Sequence, residues 1–294
     1  MTRPVQRNLA ASVKARLAVR ATAIEDVQHL LMRYALERLL YRLSQSPHAG
    51  EFTVKGALVF LVWNREPYRS TKDLDLSTGR SPSPEEFAAL FRELCQVEVE
   101  PDGLVFVSDS VQAREIREDN LYGGIRVTLL SMLGTARIPL QVDVGFGDAV
   151  KPPAKVAPFP TLLDMPAPRL RMYARETVVA EKFEILVQLG IANSRMKDYY
   201  DLWVLAREFE FDGETLRDAI GATFRRRQTP LPGELPAGLS EDFVNDSSKK
   251  AQWRGFLQRT RLRFKEPDLG KVVEVIKSFI LPPAHAVQQK KPFA

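Results

Sequence analysis

One cysteine, Cys95, occurs in 294 residues, so an internal disulfide and a multi-thiolate zinc centre are both excluded. With Phe91 and Leu94 beside it, the thiol reads as a small buried apolar group. Histidine is nearly as scarce. His29, His48 and His285 share no ligand spacing, which argues against a histidine metal centre or a Ser-His-Asp triad. No apolar run approaches the ~18 residues that span a bilayer, and Met1 to Val19 lacks the continuous apolar stretch of a secretory leader. No internal repeat or sustained heptad is present. A cytoplasmic location is expected.

What is present is the composition of a globular protein, 45% apolar and 27% charged, in a chain long enough for one large domain or two ordinary ones. The net charge of +5 favours partners that carry phosphate.

Periodicities of three and four predict helices over Asn8–Ala21 and Glu25–Ser44. Arg3, Arg7, Lys14, Arg16 and Arg20 there are either nucleic-acid contacts or a solvated helix face. A strand is expected to Val54, then a turn at Gly56, a short helix over Ala57–Trp63, a loop over Asn64–Thr71 and a strand over Asp73–Leu76. Ser83 and Pro84 predict the N-terminus of a helix over Glu85–Leu94. Strands are expected at Val97–Val99, Leu104–Asp109, Gly123–Met132 and Arg137–Phe146, with Gly134-Thr135 making a hairpin. The proline-rich stretch Lys151–Pro168 is the expected boundary between domains 1–155 and 156–294. Helices follow over Arg175–Leu189, Arg195–Phe209, Gly213–Arg227, Glu241–Phe264 and Leu269–Leu281, with a frayed tail after Pro282.

The stretch Val54–Leu76 carries the first chemistry. Asp73 and Asp75 lie two apart in a predicted strand and so face one side, while Leu74 and Leu76 face the other. Asp143, alternating with Val142 and Val144 on a later strand, adds a third carboxylate, giving the oxygen-rich set that Mg²⁺ requires. Lys55, Gly56, Arg65, Arg69, Ser70, Thr71 and Lys72 supply cations, hydroxyls and amides suited to a triphosphate, Gly56 and Arg69 foremost. In the helical half, Lys182 sits among Val178, Val179, Phe183 and Leu186, and a lysine in such company needs an anionic partner. Asp198, on the apolar stripe of Leu202 and Leu205, is either that partner or an acid directed at reacting groups.

Lys55-Gly56, the segment Arg69–Leu76, Val142–Asp148, Glu176–Lys182 and Asn193–Asp201 together, in this order, resemble the AbiEii/AbiGii nucleotidyltransferase toxins of type IV toxin-antitoxin pairs, a group that includes the MenT-type toxins. The resemblance implies an α+β fold: a nucleotidyltransferase-like mixed β-sheet lobe with helices, and a mainly helical C-terminal lobe across an interlobe cleft. It implies Mg²⁺, with Mn²⁺ as a substitute, on Asp73 and Asp75, an NTP substrate contacted by Lys182, an essential Asp198, and Asp143 as the third carboxylate. It also implies tRNA as the acceptor, modified at its 3′ end, and an antitoxin of the helix-turn-helix AbiEi type. The alternatives are a nucleotide-binding regulatory module and transfer to a protein hydroxyl. The chain has Gly56-Ala57 where the superfamily often has Gly-Ser, which removes one hydroxyl that Ser70 or Thr71 could replace. Phosphate on Thr71 is expected to block a triphosphate site through its negative charge.

Overall fold

A computed structural model describes residues 3–118 and 122–289, with side chains for 8–116 and 123–289. The chain opens with α1 (Arg3–Val19) and α2 (Val27–Gln45). Asp26 starts α2 by accepting the His29 N–H at 2.9 Å, which satisfies one of the donors left over in a first helical turn. Then come β1 (Phe52–Lys55), a 3-10 turn over Gly56–Val59, α3 (Phe60–Asn64), β2 (Asp73–Thr78) and α4 (Pro84–Gln96). The start of α4 is the one its sequence predicts: Ser83 and Glu86 cap each other's backbone and Pro84 occupies the first turn.

β3 (Leu104–Glu118), β4 (Tyr122–Leu133) and β5 (Ala136–Phe146) form an antiparallel meander, followed by β6 (Lys155–Pro158) and β7 (Arg169–Met172). The seven strands make one mixed sheet in the order β3-β4-β5-β2-β1-β7-β6. β2 runs parallel to β5 and β1 parallel to β7; the other pairs are antiparallel. One face carries Leu74, Leu76, Ile125, Val127, Val142 and Val144, all buried, in a core shared with α2 and α4. Burying each such side chain contributes about 1.5–3 kcal/mol, so β2, with Leu74 and Leu76 in the core, is anchored from beneath.

Several elements differ from the sequence expectation. Val97–Val99 is not a strand; the Val97 N–H closes the end of α4 on the Leu94 carbonyl, and the meander starts only at Leu104. β3 runs on past Asp109 because Ser110 bridges an irregularity, donating to the Val107 carbonyl at 2.6 Å and accepting the Leu130 N–H at 2.8 Å. β6 and β7 lie within or just beyond the proline-rich stretch. Pro158 is tolerated because β6 is an edge strand, where a missing donor costs no ladder bond.

The chain divides into two compact units. The first is Met1–Asp148 with Lys155–Met172, the second Ala149–Ala154 with Tyr173–Ala294. The second is helical: α5 (Arg175–Leu189), α6 (Met196–Glu208), α7 (Gly213–Arg227), α8 (Glu241–Asn245), α9 (Ser247–Arg259) and α10 (Leu269–Gln289). Its core includes Phe183, Leu186, Leu205, Ile220, Phe224 and Ile276. The single helix expected over Glu241–Phe264 is broken at Asp246, whose carboxylate accepts the Lys249 N–H at 3.0 Å and so caps a new helix. α10 passes through Pro282-Pro283 instead of fraying there. Pro283, Ala284 and Ala286 are buried, and that packing offsets the lost backbone donors.

Candidate active site

β2 presents Asp73 and Asp75 on the sheet face opposite its buried leucines, as the alternation predicts. Asp75 is in register with Asp143 on parallel β5 and with Lys55 on antiparallel β1, and Asp73 pairs in register with Gln141. Partners in register share a face, so the three carboxylates form one acidic row with a lysine at its end.

Gly56 makes this row possible. Its φ is +72°, and a Cβ there would lie 1.9 Å from the Asp75 Oδ2. Only a residue without a side chain lets the backbone turn this closely over the carboxylate.

Asp143 is not waiting for a cation. Arg126, its register partner on β4, donates from Nε to Oδ1 and from Nη2 to Oδ2, both at 2.8 Å, and Gln141 Nε2 donates to Oδ2 at 3.3 Å. Hydrogen bonding to Asp143 raises the Arg126 pKa above its ordinary value, and the charges of Asp73 and Asp75 add to it. Lys55 is also engaged: Nζ lies 2.8 Å from the Asp148 Oδ2, which accepts the Ser77 hydroxyl at 3.1 Å. Among the described residues, no three His, Cys, Asp or Glu side chains converge as a ready metal cage. The donor set is nevertheless all oxygen, suited to a hard divalent cation, and the cradle beside Asp75 exists only because Gly56 has no Cβ.

The loop before β2 is pinned by the buried Tyr68, packed edge-on to Phe60 with ring centroids 6.0 Å apart. Arg69, Ser70 and Thr71 are half-buried, and Arg69 Nη1 reaches the Ser70 carbonyl at 3.4 Å. Arg65 and Lys72 are exposed. A groove of about 460 Å³ opens at the Asp73 end, lined in part by Lys72, Gln112, Thr128 and Gln141.

The second unit holds its own cluster. Lys182 Nζ lies 2.6 Å from Asp198 Oδ1 and 2.8 Å from Asp201 Oδ2, and Arg195 Nε is 2.5 Å from Asp198 Oδ2. Of the two readings open for Lys182 and Asp198, mutual pairing is therefore realised. Burial pushes the Asp198 carboxyl up, but the charges of Lys182 and Arg195 outweigh it and hold the group well below the carboxylate range. Asp198 also stands in the first turn of α6, where the helix dipole favours an anion.

Other expectations are redrawn. Cys95 is half-buried, and burial still pushes its thiol up to about 11. Arg16 and Arg20 are exposed and Lys14 half-buried, while the side chains of Arg3 and Arg7 lie outside the described residues. At the end of α7, Arg225 and Arg226 are exposed, while Arg227 Nη1 is 2.7 Å from Glu184 and so serves the helical core. Arg126, Asp148, Arg195 and Asp201 belong to the clusters but are not singled out by sequence. Asp201 could have been, since it lies three residues after Asp198 on a helix. The second unit also carries a basic stretch: Lys250, Arg254, Arg259, Arg261, Arg263 and Lys265 are exposed, and no acid occurs in 247–265.

The mixed sheet and the helical second unit are similar in fold to nucleotidyltransferase toxins of known structure. The family described as "Nucleotidyl transferase AbiEii toxin, Type IV TA system" matches residues 38–275, and the chain belongs to it. It is accordingly a nucleotidyltransferase of the type IV toxin class, a membership that implies an NTP substrate and an antitoxin partner. Among solved structures it resembles MenT4, a nucleotidyltransferase toxin from Mycobacterium tuberculosis, at 18% identity and a TM-score of 0.52 over 96% of this chain and 99% of that one. A putative nucleotidyltransferase from H. pylori is similar at 13% identity and a TM-score of 0.52, over 90% of this chain and 98% of that one. JHP933 from Helicobacter pylori matches at 13% identity and 0.51, over 90% and 94%. At these identities the likeness is one of fold. No curated protein matches in sequence. No helix among the described residues is long and apolar enough to cross a membrane.

Proposed function

We propose that the protein transfers a nucleoside monophosphate from an NTP to tRNA, at the 3′ acceptor end, and thereby blocks translation. The acceptor hydroxyl oxygen bonds to the α-phosphorus, the bond from that phosphorus to the bridging oxygen breaks, and pyrophosphate leaves. Asp73, Asp75 and Asp143 are the residues to hold Mg²⁺ or Mn²⁺, which when bound supplies positive charge against the triphosphate. Lys55, Gly56, Arg69, Ser70 and Thr71 form the phosphate-binding margin of the same sheet face. Asp143 assists removal of the proton from the acceptor hydroxyl. Lys182 contacts the nucleotide phosphates, and Asp198 fixes its position through the ion pair. The cognate antitoxin is of the helix-turn-helix AbiEi type, and the site of action is the cytoplasm.

The observation that carries this reading is the acidic row itself: three carboxylates brought to one sheet face from two strands, beneath a glycine turn that leaves room for them. The test is transfer of each α-labelled NTP in turn to total tRNA. Asp73→Ala is expected to abolish labelling while the fold is retained by circular dichroism; full labelling in that variant removes the assignment.

A further inference from the structure

We infer that Arg126 is a phosphate-binding residue of the nucleotide site, held on Asp143 until a divalent cation and a polyphosphate arrive together. The inference rests on the proposed cation site and adds to it a coupling between metal and nucleotide.

The fork of Arg126 occupies both oxygens of Asp143 with two 2.8 Å bonds, the strongest geometry a guanidinium offers a carboxylate. Together with Gln141 Nε2 on Oδ2, the fork takes three of the roughly four lone-pair sites of Asp143, so a cation arriving there competes with it. Arg126 is permanently charged, so the two cations repel each other across one carboxylate when nothing else is bound. A polyphosphate reverses the balance. Its oxygens match the same fork bidentately, and its negative charge pays for holding the metal and the guanidinium side by side. Arg126 stands in the register row Lys55, Asp75, Asp143, Arg126, Arg114, so its release leaves it on the face that the carboxylates share. It is half-buried among β-strand neighbours, which limits the directions it can take when Asp143 lets go. Arg114, exposed beyond it, extends the positive edge of the row.

Metal alone and metal with polyphosphate should therefore respond in opposite directions to loss of the fork. Manganese binding to the full chain is followed by electron paramagnetic resonance, with Mn²⁺ alone and with Mn²⁺ plus inorganic triphosphate, for wild type, Arg126→Gln and Arg126→Lys. Arg126→Gln is expected to bind Mn²⁺ alone about tenfold more tightly and the Mn²⁺–triphosphate about tenfold more weakly. Shifts of the same sign, or no shift, overturn the exchange. An Arg126→Lys variant that matches wild type in both titrations would reduce the effect to net charge and also overturn it. Asp73→Asn, added as a third background, separates the two ideas. If it leaves Mn²⁺ binding unchanged, the cation site itself is wrong; if it abolishes binding while Arg126→Gln does nothing, only the coupling fails.

Discussion

At Gly56 a single missing side chain decides whether the acidic row can exist. A left-handed φ costs an ordinary residue about 1–2 kcal/mol, and here the added Cβ would also fall on the Asp75 carboxylate. Gly56→Ala is therefore expected to cut nucleotide transfer by about 100-fold through displacement of Asp75, while the melting temperature falls by only a few degrees. Equal loss of activity and stability would place the effect in folding instead. The site residues divide by how far their partners lie along the chain. Asp73 and Asp75 are legible because a period of two is local. Arg126 is not, since its partner Asp143 is 17 residues away and the pairing depends on strand register. Lys182 is intermediate: its apolar neighbours announce that it needs an anion, and only the packing of α5 against α6 says that Asp198 and Asp201 provide it.

The element with the most concealed charge is α2. Arg33, Arg38 and Arg42, interspersed among its leucines, are all buried and paired, with Glu25 at 2.6 Å, Glu37 at 2.9 Å and Asp102 at 2.7 Å. Glu37 bears the cost: burial pushes its carboxyl from 4.5 up to about 7, against the pull of Arg38. Between these values the unfolded chain gives up the proton and the folded chain keeps it, so stability falls as pH rises through the window, by ~3 kcal/mol at most. Urea unfolding from pH 4.5 to 7.5 is expected to show this slope in wild type and a flatter one in Glu37→Gln. Parallel slopes would contradict it. α5 and α7 are legible to the residue: Gly190 ends the first, and Asp212 starts the second by accepting the Thr215 N–H at 2.8 Å. The break at Asp246 is local, a helix cap three residues ahead of Lys249, whereas the failures at Val97–Val99 and Pro282 share another cause. Whether an apolar pair finds a strand partner, or a proline is held in place by burial, is settled by tertiary neighbours that no window of sequence contains.

Over the whole molecule, the excess of positive charge is distributed unevenly. Some of it is locked inside α2 and against Glu184, and some lies exposed along 247–265, a stretch that contains no acidic residue of its own. If tRNA is the acceptor, as proposed, its binding is expected to weaken steeply with salt. Reversing Lys250, Arg254 and Arg261 together to Glu should flatten the dependence of log K on log salt by about 2–3, with Mn²⁺–triphosphate binding unchanged. An unaltered slope would assign the RNA contact to another surface. The division of the chain has a further consequence, for the order in which the protein can be made. The first unit is interrupted by Ala149–Ala154 and regains Lys155–Met172 only afterwards. Until Met172 has left the ribosome, β7 is missing and β1 stands as the open margin of a growing sheet. Nascent chains of this length would present the β1 backbone donors and acceptors that β7 later takes, an edge open to mispairing during synthesis.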